Sequence, residues 1–414
     1  MRRRSTSKAT PERARVHNTQ LVLKTLYESG PISRADTARA TGLTRPTISD
    51  VVADLMVQGL IEEQGYGPST GGKRPVLLDI VNDSRHLIGL NLARESFCGA
   101  LIDLRGEIVH RIDLTLDGRD GDVALDLVYA VIDALVGTAN RPLLGIGIGA
   151  PGLVDAVNGI MRQAVNLNWR DVPLRDLLQD RYDLPVHMAN DCQVAALGEY
   201  TFGQNTESTR DLVVINVGWG VGAGIVHDRH LLHGNPLGAG EIGHVVVAED
   251  GEQCRCGNRG CLETLVSTQA ILRRARSIAQ STPDSPLYEF AACPETITFD
   301  TVCQAFKAGD KATQQVVRDV GRSLGIAAAN LVGALGSCRI LIAGPLACFG
   351  QFLLDAIRQE MTRRCLPSLA RDTEVGFVSL GSDIVLLGAS ALLLHNELGL
   401  FATVETGLFE AERR

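Results

Sequence analysis

The chain has 414 residues, 45% hydrophobic and 21% charged, enough to bury a large core divided among two or three domains. No run of about 18 apolar residues offers a membrane span, and the basic start MRRRSTSKATPERARV lacks the apolar segment of a secretory signal, so a cytoplasmic protein with no membrane association is expected. Ten cysteines are too sparse for a disulfide scaffold, and the net charge of −8 is unevenly placed: residues 1–80 carry 12 Lys/Arg against 8 Asp/Glu, leaving −12 for the remainder. A basic head on an acidic body suggests that only the head meets a polyanion.

Residues 1–16 read as a basic arm. The stretch HNTQLVLKTLYESG then places Leu21, Val22 and Leu26 on one face of a helix that stops at Gly30-Pro31. Ser33 is a natural N-cap for a second helix reaching Thr41, Gly42 breaks the chain, and Thr44 caps a third helix with Pro46 in its first turn, where a missing N–H is harmless. Arg45, Thr47 and Ser49 fall at the end of that helix that reaches base edges in a helix-turn-helix, while Ile48, Val52 and Leu55 face inward. LIEEQGYG and PVLLDI follow as two short strands joined by PSTGGKR. Residues 17–82 are therefore predicted to form a winged helix-turn-helix, with Lys73 and Arg74 at the wing tip for phosphate or minor groove. A three-helix module that binds protein is the alternative.

From about residue 83 strands alternate with helices. HLIGLNLA, SFCGALIDL and GEIVHRIDL are strand candidates, VALDLVYAVIDALVG a helix, and LLGIGIGAPGLVD a buried strand ending in a Gly/Pro loop. DLVVINVGWGVGAGIVHD starts a second round, followed by a long helix at ATQQVVRDVGRSLGIAAANLVGAL and a strand at SCRILIAGP. Two such rounds predict a duplicated α/β architecture with a cleft between its halves, residues 83–196 and 197–414, the last helices being able to return to the first half.

In the second half, His244, Cys254, Cys256 and Cys261 supply one imidazole and three thiols, a set suited to closed, tetrahedral, structural zinc. Gly257 and Gly260 let the backbone fold tightly enough to aim the sulfurs at one ion. Buried free cysteines, or a redox pair of Cys254 and Cys256, are the other readings; the remaining seven cysteines read as core residues. Glu241 and Glu263 flank the loop, so folding it around a metal would hold two carboxylates near one place, as sugar hydroxyls require; both are otherwise surface or capping carboxylates.

GAGEIGH followed by CRCGNRGCLE closely resembles the signature of the ROK family of repressors, open reading frames and sugar kinases. The resemblance spans essentially the whole chain, because ROK repressors add an N-terminal winged helix-turn-helix. It implies an actin-like, ribonuclease H-like, two-lobed sugar-kinase fold with structural zinc. Carried over by position, the sugar contacts are Asn166, Asn190, Asp191, Glu241, His244 and Glu263, and Asp191 matches the family's catalytic base. By itself, the Asn190-Asp191 pair also reads as a helix N-cap.

The phosphate loops depart from the family's kinases. At the first, GLNLARES puts Asn91 in place of an acidic residue and Ala93, Arg94 and Glu95 in place of close-approach glycines. In the second, NVGWGVGAG, Trp219 stands where kinases carry a Thr hydroxyl, and IAGPL keeps only part of a double-Gly turn. The resemblance thus implies a sugar-responsive regulator, a repressor of carbohydrate uptake or catabolic genes, that binds a pseudo-palindromic operator as a homodimer or tetramer, with a small sugar as effector and without ATP or Mg. An active ATP-dependent sugar kinase that also binds DNA, and a repressor controlled by a partner protein, are the alternatives.

Overall fold

The computed structural model describes residues 11–68, 74–204, 210–234, 238–282 and 284–400. Its first helix, α1 (Pro11–Ser29), begins six residues before the stretch predicted to be helical does. Residues 11–17 are exposed, so they leave no periodic signal; Pro11 and Glu12 instead start the helix by suiting its unpaired N–H groups and dipole. The last part of the expected arm is thus helical, and residues 1–10 lie outside the described residues.

After β1 (Ile32–Ser33), the Ser33 side chain accepts from Asp36 N and caps α2 (Arg34–Thr41), which Gly42 ends in the left-handed region. Thr44 caps α3 (Arg45–Val57) by accepting from Thr47 N. Val22, Leu26, Ile48, Val52 and Leu55 of these helices are fully buried, as the periodicity predicts. The wing strands β2 (Ile61–Tyr66) and β3 (Val76–Ile80) pair antiparallel, and β1 adds a third strand.

The rest of the chain repeats one pattern twice. The first round comprises β4 (His86–Leu92), β5 (Ser96–Ile102), β6 (Ile108–Thr115), α4 (Gly121–Thr138), β7 (Leu143–Ala150), β8 (Leu153–Asp155), β9 (Ile160–Ala164), β10 (Trp169–Val172), α5 (Leu174–Tyr182) and β11 (Val186–Asn190). Its sheet runs β6-β5-β4-β7-β11, with β9 and β10 as an antiparallel ribbon.

The second round comprises α6 (Asp191–Phe202), β12 (Leu212–Val217), β13 (Val221–His227), β14 (His230–Leu231), α7 (Leu262–Val266), α8 (Thr268–Ser281), α9 (Phe299–Lys307), α10 (Lys311–Leu335), β15 (Arg339–Ala343), α11 (Gly350–Arg364), α12 (Pro367–Asp372), β16 (Glu374–Phe377) and α13 (Ile384–Leu398). Its sheet runs β14-β13-β12-β15-β16, so both sheets order their strands 3-2-1-4-5. The predicted duplication is present.

By contact density the chain divides into residues 1–148, 156–188 and 389–414 on one hand, and 149–155 and 189–388 on the other. The change falls at 188/189 rather than at the expected 196/197 because α6 packs on the second sheet. A Cβ at Gly224 of β13 would lie 2.1 Å from the Cys192 carbonyl oxygen, so only glycine lets α6 settle there. On the same unit's core, Val213, Ile215, Val217, Leu262, Val266, Ile271, Leu324 and Ile340 pack from sheet and helices together. One cysteine reading is corrected: Cys303 of α9 and Cys348 after β15 are not bland core residues but form a disulfide, with Cα atoms 6.2 Å apart. Their separation of 45 residues gave no spacing signal.

Candidate functional site

The loop between β14 and α7 turns back on itself. Cys254 N donates to Asn258 O (2.8 Å), Gly257 N to Cys254 O (3.1 Å) and Gly260 N to Glu252 O (2.9 Å), while single bridges join Val246 to Cys261 and Gln253 to Arg259. Gly260 has φ +72°, and a Cβ there would stand 1.6 Å from Ala248 O. These constraints bring one ligand atom from each of His244, Cys254, Cys256 and Cys261 within 4.8 Å of one another, a group that can hold a metal ion.

Two of the six separations in the donor set match those around a tetrahedral ion. Metal–sulfur bonds of about 2.3 Å place tetrahedral sulfurs roughly 3.8 Å apart; Cys256 Sγ and Cys261 Sγ are 3.6 Å apart, as are Cys254 Sγ and His244 Nδ1. A backbone hydrogen bond from Asn258 holds the Cys256 thiol below its ordinary range. Burial, with the neighbouring thiols, pushes Cys261 up to about 12. A cation among them would offset the cost of the buried thiolate.

His244 presents two different nitrogens. Nδ1 faces Cys254, whereas Nε2 is 3.9 Å from Glu241 Oε2. A ring bound to metal through Nδ1 must carry its proton on Nε2 and donate it outward, so one histidine can serve both the metal and a polar ligand. Cys261 is itself the residue preceding α7, which puts Glu263 in that helix's first turn. The Glu263 carboxylate accepts from Val221 N at 3.1 Å, fixing it against the start of β13.

At the N-terminus of α6, Asn190 is both cap and scaffold. Its Oδ1 accepts from Cys192 N (2.9 Å) and its Nδ2 donates to Gly152 O (3.0 Å). Asp191 Oδ1 accepts from the same Cys192 N at 2.8 Å. Burial holds the Asp191 carboxyl above its ordinary range, and the Glu241 charge pushes it the same way. Asp191 and the exposed Glu241 therefore form an acidic neighbourhood. Asn166 lies in the first unit, in the turn Val165–Leu167. Its Nδ2 is buried with no acceptor among the described residues, a cost of roughly 1–3 kcal/mol that a ligand hydroxyl would relieve.

The phosphate-loop departures map onto two hairpin turns. Ala93-Arg94-Glu95 joins β4 to β5, and Glu95 O accepts from Leu116 N at 2.8 Å. Trp219, 42% exposed, sits between β12 and β13, where Gly218 N donates to Gly220 O. Gly344 is the sterically required glycine of IAGPL, since a Cβ there would meet Val217 O at 2.2 Å.

In the head, Arg45 and Ser49 are exposed at the start of α3, and Thr47 is half-buried. Ser49 Oγ donates to Arg45 O and Thr47 Oγ1 shares a 2.9 Å hydrogen bond with Thr44 Oγ1, so the Arg45 guanidinium is the freest of the three groups. Arg74 is exposed beside the wing; Lys73 lies outside the described residues.

Three positions escaped the sequence reading. Asn216 hydrogen-bonds the buried Cys192 thiol behind Asp191, Gly152 O anchors Asn190, and Thr268 Oγ1 donates to Gly218 O at 3.0 Å, bracing the Trp219 turn. The polar side chains lying in apolar runs were the available signal for Asn216 alone.

The ROK family model matches residues 87–396. A xylose repressor of Caldicellulosiruptor bescii is 32% identical over 385 residues, 92% of this chain and 96% of that protein. A glucokinase of Halalkalibacterium halodurans is 34% identical over 318 residues, 76% of this chain and 96% of its own. A solved ROK family transcriptional regulator, a homologue of the E. coli Mlc protein, aligns with a TM-score of 0.84 at 29% identity, covering 94% of this chain and 98% of that one. The twice-repeated strand order is that of the actin-like α/β fold, and the likenesses to the xylose repressor and the solved regulator run through head and body. With the family model matched over three-quarters of its length and the four-ligand loop in place, this chain belongs to the ROK family.

Proposed function

We propose that this chain is a sugar-responsive DNA-binding repressor of carbohydrate uptake or catabolic genes, working in the cytoplasm with its ROK body as effector sensor. The observation that carries the reading is the union, in one chain, of a capped recognition helix presenting Arg45 with two carboxylates, Glu241 and Glu263, that flank a four-ligand loop. Its likeness to a xylose repressor over 92% of the chain supports the same class.

In this reading Asp191, Glu241 and Glu263 accept hydrogen bonds from sugar hydroxyls, Asn190 orients them, and the outward nitrogen of His244 donates. Zinc held by His244, Cys254, Cys256 and Cys261 would supply a closed structural anchor with no open position for chemistry. Arg45, Thr47 and Ser49 read base edges, with Lys73 and Arg74 on the backbone or minor groove. A homodimer or tetramer with paired heads fits a pseudo-palindromic operator. A sugar that binds one arrangement of the chain better than another shifts operator affinity by the difference, roughly 5- to 150-fold for couplings of about 1–3 kcal/mol.

Two observations favour a second reading, an ATP-dependent sugar kinase that also binds DNA: Asp191 is retained at the base position, and a glucokinase is 34% identical. Against it stand Ala93, Arg94 and Glu95 in the first loop and Trp219 in the second, side chains where phosphates need close backbone approach.

The deciding experiment is fluorescence anisotropy of DNA from the chain's own promoter, titrated at fixed salt with and without free, phosphorylated and N-acetylated sugars, D-xylose first. A sugar that moves the curve supports the sensor. Tight binding that no sugar moves points to control by a partner protein, and absence of specific binding together with ATP turnover on a hexose panel overturns the reading in favour of the kinase.

A further inference from the structure

Resting on the regulator reading above, we propose that Arg105 is a positioning residue for the DNA-binding head, clamping the C-terminal end of α1 to the β5–β6 turn so that the head's setting follows the first sheet. The turn is built to be stiff. Asp103 Oδ1 accepts from Arg105 N (2.8 Å) and Glu107 N (2.9 Å), Asp103 N donates to Glu107 O (3.0 Å), and Gly106 takes φ +89°.

From that base the Arg105 guanidinium makes four contacts with the head or its exit. Nη1 donates to Tyr27 O (2.7 Å), one of the carbonyls that α1's end leaves unpaired. The group lies 4.2 Å over the Tyr27 ring, 3.8 Å from Asp79 of β3, and its Nε is 3.4 Å from Asn82 Oδ1. Tyr27 answers in the opposite direction: its hydroxyl donates to Leu104 O at 2.8 Å, and Leu104 N donates to Asn82 O at 3.0 Å. Burial pushes the Tyr27 hydroxyl up to about 12, so it remains a donor at every physiological pH. Tyr27 and Leu104 are 8% and 2% exposed, which makes this a packed joint rather than a surface ion pair.

Two further grips hold the same head. Arg85 Nη2 donates to Gln58 O (2.8 Å) at the end of α3, and a Cβ at Gly399, just past α13, would meet the Gln20 side chain of α1 at 2.6 Å. A head held at α1, α3 and β3 cannot swing as a tethered bead. The opposite end of β5, roughly 20 Å away along the strand, is the Ala93-Arg94-Glu95 turn, so one strand links the former phosphate-loop position to the head.

The test compares full-length wild type with Arg105→Ala, Arg105→Lys and Tyr27→Phe. Operator affinity is measured with and without D-xylose, D-xylose affinity by calorimetry, and amide hydrogen exchange over α1 and α3 without ligand. Arg105→Ala is expected to leave D-xylose affinity within about twofold, to bring the xylose-dependent ratio of operator affinities close to one, and to raise exchange at 24–29. Arg105→Lys, which keeps the charge toward Asp79 but not the fork or the stack, should restore only part of the ratio. A folded Arg105→Ala protein with the wild-type ratio and wild-type exchange overturns the clamp. If wild type itself ignores D-xylose, the effector assignment fails separately, and unchanged exchange in Arg105→Ala then decides against the clamp, raised exchange for it.

Discussion

Gly257 and Gly260 offer a paired test of how the metal loop is held. Both have positive φ, +100° and +72°, so alanine at either carries backbone strain of about 1–3 kcal/mol. Their surroundings differ. Nothing lies within 4 Å of a Cβ at Gly257, whereas at Gly260 the Cβ would stand 1.6 Å from Ala248 O and 2.7 Å from its carbon. Opening that contact to 3.0 Å, the shortest that real Cβ atoms show, needs a backbone movement of about 1.4 Å. The neighbouring ligand Cys261 would move with it, far beyond the roughly 0.2 Å tolerance of a metal–ligand bond. Gly257→Ala should therefore keep one zinc per chain and lose only the strain energy, while Gly260→Ala should bind zinc at least about tenfold more weakly, a further 1.4 kcal/mol or more. Metal content after dialysis against a graded chelator, read beside the melting temperature of each variant, measures both. Equal zinc retention and equal melting temperatures in the two variants would refute the claim that the Ala248 contact sets the loop.

Arg45→Ala should weaken operator binding by about 1–3 kcal/mol and lower its salt dependence or its sequence discrimination, while sugar-induced thermal stabilisation stays intact; loss of both would show that the recognition helix is misplaced. Glu263→Gln keeps an oxygen for Val221 N but removes the charge, so the fold should persist and the sugar-induced shift in melting temperature should shrink; an unchanged shift takes Glu263 out of the pocket. Glu199, fully buried in α6, accepts from Ser379 N (2.9 Å), Ser379 Oγ (2.8 Å) and Leu380 N (3.3 Å), so Glu199→Ala should cost about 2–4 kcal/mol by leaving those donors unmet, seen as a lower denaturation midpoint. Asp191 has a raised carboxyl pKa in the folded chain, so folding takes up protons there and this residue's contribution to stability falls as pH rises through the folded value. Sugar-free Asp191→Asn should accordingly melt higher than wild type at pH 8, with the gain vanishing as pH falls below the ordinary Asp range; a gain that is constant with pH would refute the assignment.

The winged head and the metal loop were legible in the sequence because their instructions are local. Ser33, Gly42, Thr44 and Pro46 fix helix ends by hydrogen bonds and backbone angles within three or four residues, and the four metal ligands fall within 18 residues with the required glycines between them. The central strands β4, β5, β7, β12, β13 and β15 were visible for the same reason, being apolar runs between turn residues, whereas the polar β9 and β10 were not. The start of α1 was not, since its first turns are exposed. What only the tertiary structure decided are the partnerships across long stretches of chain: Glu263 with Val221 N, Asn190 with Gly152 O, Asn216 behind Cys192, Cys303 with Cys348, and Tyr27 with Leu104, 77 residues apart. A residue type sets what hydrogen bond or charge a side chain can offer; which backbone group meets it depends on strand order and helix packing, and those follow from the burial of the core as a whole.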